Sequence, residues 1–368
     1  MNTPFPFSAI VGQDNMKLAL VLTAIDPKVG GVLVFGDRGT GKSTAIRAFA
    51  DLLPPIKVVT GCPVNSEHHI DVPDWVDTAS KKTHRINTPV VDLPLGISSD
   101  RITGALDIEY ALIEGKKRFQ TGLLAKANRG YLYIDEVNLL EDHLVDLLLD
   151  VAQSGENVVE REGLSIRHAS QFILIGSGNP EEGELRPQLL DRFGLSVEVL
   201  TPKTVDERIE VIKRRDDYDS NPDEYAKSWD GENKKLRTKI QRAKKNLYSV
   251  SVDTSILECC AKICIELGSD GLRGELTLVR TARALAALTG KKSVDIAQVR
   301  KIAPMALSHR LRRDPLDDAG SGTRVERVFH SLSTNLFRHR CCCCWSCCWS
   351  CCCCCCRFYY PACWSSIR

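Results

Sequence analysis

The sequence has little of what marks a membrane or secreted protein. None of its apolar runs approaches the roughly 18 residues of a membrane span, and the stretch LVDLLLDVA is short and carries acidic residues. The first residues, MNTPFPFSAIVGQDN, have neither the basic-then-apolar order of a secretory signal nor the Arg- and Ser-rich character of a transit peptide. We therefore expect a cytoplasmic protein, or one made in the compartment where it works.

The sequence also lacks an excess of either charge. Its 49 lysine and arginine residues nearly balance its 47 acidic residues, which gives a formal net charge of +2. A nucleic acid or an anionic membrane as partner therefore has no global electrostatic support, and we interpret the basic stretch KKLRTKIQRAKKN as a solvated helix face. With 43% hydrophobic and 26% charged residues, the 368-residue chain is typical of a soluble globular protein of two or three domains.

Cysteine is scarce outside one segment. The body of the chain holds only Cys62, Cys259, Cys260 and Cys264, as in a reduced intracellular protein, and we interpret the last three as small core residues rather than a redox switch. The other thirteen of the 17 cysteines lie in the last part of the chain, among Trp, Ser, Arg, Phe and Tyr. All these residue types have codons one nucleotide away from cysteine, so we interpret the tail as a repeat read in an unintended frame. An adventitious metal binder and a functional extension are the alternatives.

One motif stands out between the apolar run GGVLVF and the helical pattern AIRAFADLL. Its spacing fits the phosphate-loop pattern G-x-x-x-x-G-K-[ST] at every fixed position. In such a loop, backbone N–H groups turn inward around an anion at the positive end of the following helix. Its lysine reaches the β- and γ-phosphates, and its serine hydroxyl ligates Mg²⁺. We therefore predict nucleotide binding by Gly36, Asp37, Arg38, Gly39, Thr40, Gly41, Lys42, Ser43 and Thr44, with Ser43 as a metal ligand.

Two further apolar strands end in polar residues. The stretch YLYIDEVNLL begins at Tyr131 and carries Asp135, which would hold Mg²⁺, and Glu136, which would take the proton from an attacking water. The stretch QFILIGSG leads to Asn179, which is placed to hydrogen-bond a γ-phosphate or the lytic water. In isolation, an asparagine before a proline is also a common turn former.

Strands alternate with helices in the first part of the chain, and polar residues cluster where the strands end. This order predicts an α/β fold with a parallel sheet covered by helices on both faces and ligands at the carboxyl edge. We expect an ATP-binding α/β domain over residues 1–203, with inserted hairpins that include NVVEREGLSIRH. A helical and polar linker over 204–245, a helical domain over 246–329 and the anomalous tail over 330–368 follow.

Five stretches together resemble ATPase subunit I of magnesium chelatase, a ring-forming AAA+ protein of chlorophyll and bacteriochlorophyll synthesis. They are GDRGTGKST, the stretch from Tyr131 to His168, GSGNPEEGELRPQLLDRFGLSVEV, GSDGLRGELTL and MALSHRLRRDPLD. The resemblance runs from about residue 5 to residue 327. It implies an AAA+ P-loop NTPase with a C-terminal all-α domain, ATP and Mg²⁺ as cofactors, and a place in the cytoplasm or, for a plastid-encoded chain, the stroma.

The same resemblance implies roles for three residues. Asn179 is similar to the sensor-1 residue, and Arg192, in LLDRFG, to the arginine finger that reaches a neighbouring subunit's γ-phosphate. Arg273, in GLRGE, matches the sensor-2 arginine, carried by the helical domain onto nucleotide bound in the same chain. The simpler alternatives are a local pair between Arg192 and Asp191 and a helix-start arginine at 273.

A residue that acts between chains implies an oligomer, which the resemblance makes a ring, usually hexameric. By the same resemblance, the ring works with a D subunit and a porphyrin-binding H subunit to insert Mg²⁺ into protoporphyrin IX, and we expect no porphyrin on this chain itself. Two alternatives stay open. One is another AAA+ remodelling ATPase, MoxR-like or helicase-like, and the other is a nucleotide-gated scaffold that binds ATP without hydrolysing it.

Overall fold

A computed structural model of the chain describes residues 3–76, 80, 82–115, 118–161, 164–183, 185–269, 271–311, 323–329 and 331. Within these ranges, no helix combines the length and the apolar character needed to cross a bilayer. Apart from Ser331, the tail predicted over 330–368 lies outside the described residues, so its interpretation stays a prediction.

The strands of the described chain fall into one large sheet and three two-stranded antiparallel sheets. In chain order they are β1 (Gly31–Gly36), β2 (Ile56–Val59), β3 (Thr83–Ile86), β4 (Val90–Leu93), β5 (Gly104–Leu106), β6 (Phe119–Thr121), β7 (Tyr131–Ile134), β8 (Glu156–Arg161), β9 (Leu164–Ala169), β10 (Ile173–Gly178) and β11 (Phe193–Val199). The large sheet has the order β11-β1-β10-β7-β4, and every neighbouring pair in it is parallel. Its central strands β7 and β10 are buried along their whole length, as expected for a sheet covered on both faces.

Helices cover both faces of this sheet and form the carboxyl-terminal region. They are α1 (Asp14–Ile25), α2 (Lys42–Ala50), α3 (Ser99–Thr103), α4 (Ile108–Glu114), α5 (Leu123–Ala127), α6 (Asp142–Ser154), α7 (Pro187–Leu190), α8 (Val205–Ser220), α9 (Pro222–Asn246), α10 (Thr254–Glu266), α11 (Arg273–Leu288) and α12 (Ile296–Leu307). The predicted α/β class with an added helical domain is confirmed.

Alternate residues of the strands point to opposite faces of the sheet and enter two different cores. Val32 and Val34 pack with α1, α2 and the carboxyl-terminal helices, whereas Leu33 packs with the apolar face of α6. The first core runs without a break from the sheet into the helical region, because α9 and α11 pack on α1. The nucleotide-binding sheet and the helical region therefore share one core.

One sequence-based expectation needs correction, and one strand lies in a stretch for which no strand is predicted. The stretch YDSNPDEYAKSWDGEN, predicted as a polar linker, is the end of α8 and the first part of α9. Helix α9 starts cleanly because Pro222 stands at its first turn and the side chain of Asn221 accepts a hydrogen bond from the backbone N–H of Glu224 at 3.3 Å. The long insertion after Cys62 also supplies β4, an edge strand of the main sheet.

Other expectations on local structure are confirmed. Within NVVEREGLSIRH, the described residues belong to β8 and β9, which pair antiparallel. Cys259, Cys260 and Cys264 are buried, and burial raises the pKa of the Cys260 and Cys264 thiols to about 12. Thiols held in the neutral form are poor nucleophiles, which agrees with a role as core residues.

Candidate nucleotide site

The phosphate loop lies between β1 and α2, at the carboxyl edge of the sheet. Gly39 and Gly41 adopt positive φ angles of 77° and 80°, which L side chains rarely adopt. Gly36 is required for a different reason, because a Cβ there would lie 2.2 Å from the carbonyl oxygen of Val199 on β11. At each of these three positions the backbone therefore requires glycine, either for a positive φ angle or for a close approach to another strand.

Lys42 begins α2 and folds back over the loop. Its Nζ donates to the carbonyl oxygens of Gly36 and, at 3.0 Å, of Asp37. Burial lowers the pKa of Lys42, while the carboxylates of Asp135 and Asp37 act in the opposite direction. The ammonium group is therefore held at the centre of the turn, where the phosphates of a nucleotide would lie.

Ser43 and Asp135 meet across the gap between α2 and β7. Ser43 Oγ donates to Asp135 Oδ2 at 3.2 Å. Ser177, at the end of β10, donates to Asp135 Oδ1 at 2.5 Å, and the buried Tyr133 hydroxyl donates to Ser43 Oγ at 3.1 Å. A hydroxyl beside a carboxylate is a donor set that suits Mg²⁺, which takes oxygen ligands and commonly uses one or two carboxylates with substrate phosphates. The residues thus fit the predicted metal site.

Hydrogen bonds decide the charge of Asp135. Burial opposes ionisation, but hydrogen bonds from Ser177, Tyr133 and Ser43 outweigh it and lower the pKa of Asp135. Burial raises the pKa of Tyr133 to about 12, so that side chain stays a neutral donor. The network therefore keeps one carboxylate ionised beside the serine hydroxyl.

Glu136 and Asn179 lie at the same edge. Glu136 adopts a left-handed backbone conformation, with φ 54°, and its N–H donates to Ser177 Oγ at 3.4 Å. Asn179 is 6% exposed, and its Oδ1 accepts the N–H of Glu181 at 3.2 Å. Asn179 thus forms a turn, as an asparagine before a proline commonly does. It also lies two residues after Ser177, which hydrogen-bonds the predicted metal ligand Asp135.

Gln13 and Glu182, which no sequence motif identifies, hydrogen-bond residues of the phosphate loop. Gln13, with a left-handed φ of 52°, donates from Nε2 to the carbonyl oxygen of Thr40. Arg38 donates from Nε to Glu182 Oε1 at 2.7 Å, and this hydrogen bond lowers the pKa of Glu182. The loop is therefore linked to the segment after β10. Asp37, Gly39 and Thr44 lie exposed around it.

Arg192 lies at the opposite edge of the sheet. Phe193, the first residue of β11, pairs with Gly31, the first residue of β1. Since β1 has six residues, its far end lies about 17 Å away at about 3.3 Å per residue, farther than an arginine side chain reaches. Arg192 Nη2 instead donates to Gln153 Oε1 at 2.6 Å.

Arg273 lies beside Arg192 and not beside the phosphate loop. Its Nη1 is 3.5 Å from Asp191 Oδ2, and the positive charge of Arg273 is, after burial, the second cause that lowers the pKa of Arg192. Arg273 therefore lies away from the phosphate loop of its own chain, because the helical region packs against the amino edge of the sheet. Its predicted action on nucleotide stays a prediction. The local partner expected for Arg192, Asp191, is engaged by Arg273 and by Arg310 at 3.3 Å in the described chain.

Two residues in the turn that follows α12 hydrogen-bond the backbone next to Arg192. The carbonyl oxygen of Phe193 accepts hydrogen bonds from His309 Nε2 at 2.9 Å and from Arg310 Nη2 at 3.0 Å. Burial lowers the pKa of His309 to about 3, so its ring is neutral and donates from Nε2. The helical region and the loop that carries Arg192 thus form one hydrogen-bonded unit.

A phosphate loop, a serine and carboxylate pair at the carboxyl edge, and a helical region after the sheet define the class: a P-loop ATPase of the AAA+ type. A family model described as magnesium chelatase, subunit ChlI, matches residues 6–186, and one described as AAA lid domain matches residues 257–328. The magnesium-chelatase 38 kDa subunit of Cereibacter sphaeroides is 66% identical over 327 residues, 89% of this chain and 98% of that protein. The chain therefore belongs to the magnesium chelatase subunit ChlI family.

Further relatives agree with this membership. Magnesium-chelatase subunit ChlI of Nephroselmis olivacea is 52% identical over 333 residues, which cover 88% of this chain and 94% of that one. A chain in a cryo-EM model of the complex between subunits BchI and BchD of magnesium chelatase is 60% identical, with a TM-score of 0.51 over 88% of this chain and 99% of that one. A putative ATPase from Cytophaga hutchinsonii, at 16% identity and a TM-score of 0.59 over 88% of this chain and 90% of that one, shares the fold.

Replacing Ser177 by alanine is expected to raise the pKa of Asp135, because burial then meets less opposition from hydrogen bonds. A carboxyl whose folded-state pKa is depressed stabilises the protein above its ordinary pKa of about 3.9 and loses that contribution as the pH falls through the folded-state value. In the variant this loss shifts to higher pH. We therefore expect Mg²⁺ activation of ATP hydrolysis to weaken first at the acidic end of the pH range and to change little at pH 8.

The measurement is a Mg²⁺ titration of ATPase activity between pH 5 and pH 8. Ser170→Ala is the matched control, since Ser170 is equally buried but donates to the carbonyl oxygen of Leu124. An equal acid shift in both variants would show that the effect comes from general destabilisation rather than from Asp135.

Proposed function

We propose that the chain is the ATPase motor subunit of magnesium chelatase. In this proposal it assembles into a ring, usually hexameric, hydrolyses ATP between neighbouring copies, and drives insertion of Mg²⁺ into protoporphyrin IX together with D and H subunits. A cytoplasmic or stromal location follows from that task. The observation that carries the proposal is that the predicted site residues lie at two opposite edges of the sheet. The phosphate loop is at the carboxyl edge, and Arg192 and Arg273 are at the amino edge.

The first half would bind the nucleotide. Lys42 would hold the β- and γ-phosphates from its place over the loop, and the backbone of Gly36 to Thr44 would surround them. Ser43 and Asp135 would hold Mg²⁺, which when bound neutralises charge on the phosphate oxygens. Glu136 would accept the proton of the attacking water, and Asn179 would orient that water or the γ-phosphate.

The second half would come from the neighbouring copy. Arg192 lies too far from its own phosphate loop to touch the nucleotide there, so its guanidinium would serve the site of the next chain. A cation at that point stabilises charge on the phosphoryl group as it transfers. The contact of Arg273 with Asp191 supports the same direction for Arg273. Such a head-to-tail contact forms a ring when the rotation between neighbouring copies closes.

A reconstitution tests the whole proposal. The chain is mixed with D and H subunits, ATP, Mg²⁺ and protoporphyrin IX, and fluorescence of the metallated product is followed. Product that requires all components supports the motor role. Stimulation of ATP hydrolysis by DNA, without any effect of D and H, would favour a helicase-like machine, and assembled rings that release no phosphate would favour the scaffold.

Mixing variants distinguishes the two directions for Arg273. A Lys42→Ala chain lacks a functional phosphate loop, here called the cradle, but keeps Arg273. An Arg273→Ala chain keeps its cradle. If Arg273 acts on the neighbour, a mixture of the two inactive chains recovers ATP hydrolysis. Some contacts between neighbouring copies, here called seams, then combine an intact cradle of one chain with an intact Arg273 of the next. If it acts within its own chain, the mixture stays inactive. The measurement is phosphate release across mixing ratios at constant total protein.

A further inference from the structure

A second cleft lies at the amino edge of the sheet, away from the phosphate loop. It has a volume of about 990 Å³ and is bounded by the two-stranded sheet of β2 and β3, the end of α6 and the last turns of α9. Its floor includes Pro54, Pro55, Ile56 and Phe172. The cleft is thus an open groove with an apolar floor, and the proposed ATPase site uses none of these side chains.

Positive charge dominates the walls of the groove. Among the described residues that line it, none is an aspartate or glutamate and six are cationic: Lys28, Lys57, Arg85, Arg129, Lys244 and Lys245. Such an imbalance is unexpected in a chain whose formal net charge is +2. The groove therefore concentrates charge of one sign.

Most of these cationic groups form no ion pair with a described residue. Within the described part of the chain, the ion pair in this set is that of Arg129 with Glu67, at 2.8 Å. Partial burial and then the charge of Arg129 lower the pKa of Lys244, and the carboxylate of Glu67 opposes this shift only in part, so the two cations repel each other there. The structure holds Arg129 in place through its Nη1, which donates to the carbonyl oxygen of Lys57 at 2.7 Å, and through a left-handed backbone with φ 63°.

We propose that this groove binds an extended acidic segment of a partner polypeptide, with carboxylate side chains on the cationic walls and apolar side chains on the floor. The cations come from separate stretches of the chain and, except Arg129, have exposed side chains, so carboxylates of a bound segment can reach them from solvent. Sites for small molecules are enclosed and carry few charges, whereas an open groove with charge of one sign suits a complementary macromolecular surface. The low overall charge disfavours nucleic acid.

The groove also borders the residues proposed to act on the neighbouring copy. Gln153 lines it and accepts the hydrogen bond from Arg192. A segment bound in the groove would therefore contact the end of α6, which holds Arg192 in place. Binding itself does not depend on the proposed ATPase function, and the test below keeps the two apart.

The probe is a short fluorescein-labelled peptide in which glutamate alternates with leucine and proline, followed by fluorescence anisotropy on the full chain. Binding should weaken with added salt, and the charge-reversed variant Lys57→Glu/Lys245→Glu should bind about tenfold more weakly or worse. Both lysines are exposed, so the fold should persist. The matched control is Lys227→Glu/Lys239→Glu, which changes two exposed lysines of α9 outside the groove by the same charge.

Three outcomes would overturn the proposal. These are equal loss of binding in the groove variant and in the control, equal binding of the peptide with glutamine in place of glutamate, and displacement of the peptide by an oligonucleotide or by pyrophosphate at lower concentration than unlabelled peptide. Lys42→Ala should leave peptide binding unchanged. A loss there would place the peptide at the phosphate loop, whereas failure of ATP hydrolysis with intact peptide binding would count against the proposed function alone.

Discussion

Lys42→Ala is expected to abolish ATP hydrolysis and, with it, metal insertion in the reconstituted system. The Nζ group of Lys42 lies over the turn of the phosphate loop. Lys42 is also the first residue of α2, so its charge and the positive end of the helix dipole act at the same phosphate position. A hydrogen bond to a charged group contributes about 1.5–3 kcal/mol, so nucleotide affinity should fall roughly 10- to 100-fold. Isothermal titration with an ATP analogue and phosphate release measure the two effects.

The matched variants separate charge from folding. Lys42→Met keeps the length of the side chain and removes the charge, and it should resemble the alanine variant. Lys213→Ala removes an exposed lysine of α8 and should behave as the unmodified chain does. An unchanged melting temperature in all three would exclude unfolding as the cause. Full activity in Lys42→Met would contradict the role given to this ammonium group.

The phosphate loop could be located from sequence because its chemistry is local. Backbone conformation fixes the glycines, and the lysine and serine follow them directly in the chain. Asp135 and Glu136 were recognisable because they follow a short, fully buried strand. In each case, a few consecutive residues carry the whole signal.

Elements that depend on tertiary contacts were predicted less well. Strand β4 is four residues long and borders the sheet, so its burial pattern is too short to stand out in a long insertion. The first part of α9 contains a glycine and many polar residues, and packing stabilises it as a helix: Tyr225 and Trp229 pack against each other, and Arg214 of α8 lies over the Trp229 ring at 4.9 Å. Local propensity alone favours a loop there.

The partners of the site residues were also beyond reach of the sequence pattern. Tyr133 and Ser177 each stand two residues before a predicted site residue, so strand alternation puts them on the same side, and this was the available signal. Nothing comparable points to Asp191 or Arg310, since their contact joins segments more than a hundred residues apart. The position of Arg273 depends on how the helical region packs, which no local pattern contains.

Arg192→Ala is expected to spare ATP binding and to lower turnover by about 10³- to 10⁵-fold, the range typical of an arginine that stabilises a transferring phosphoryl group. Binding should persist because Arg192 lies at the other edge of the sheet from the phosphate loop of its own chain. Titration with an ATP analogue and single-turnover hydrolysis measure the two properties. Arg242→Ala, which removes an exposed arginine of α9, is the control for the loss of a surface cation.

Mixing the two inactive variants then tests the seam itself. In a ring of equal parts Lys42→Ala and Arg192→Ala chains, roughly one seam in four pairs an intact cradle with an intact arginine, because each heterologous contact takes one surface from each neighbour. ATP hydrolysis should therefore recover to at most roughly a quarter of the unmodified rate and should disappear on dilution to monomers. An arginine that served its own cradle would give no recovery at any ratio, since each chain would still lack one half of the site.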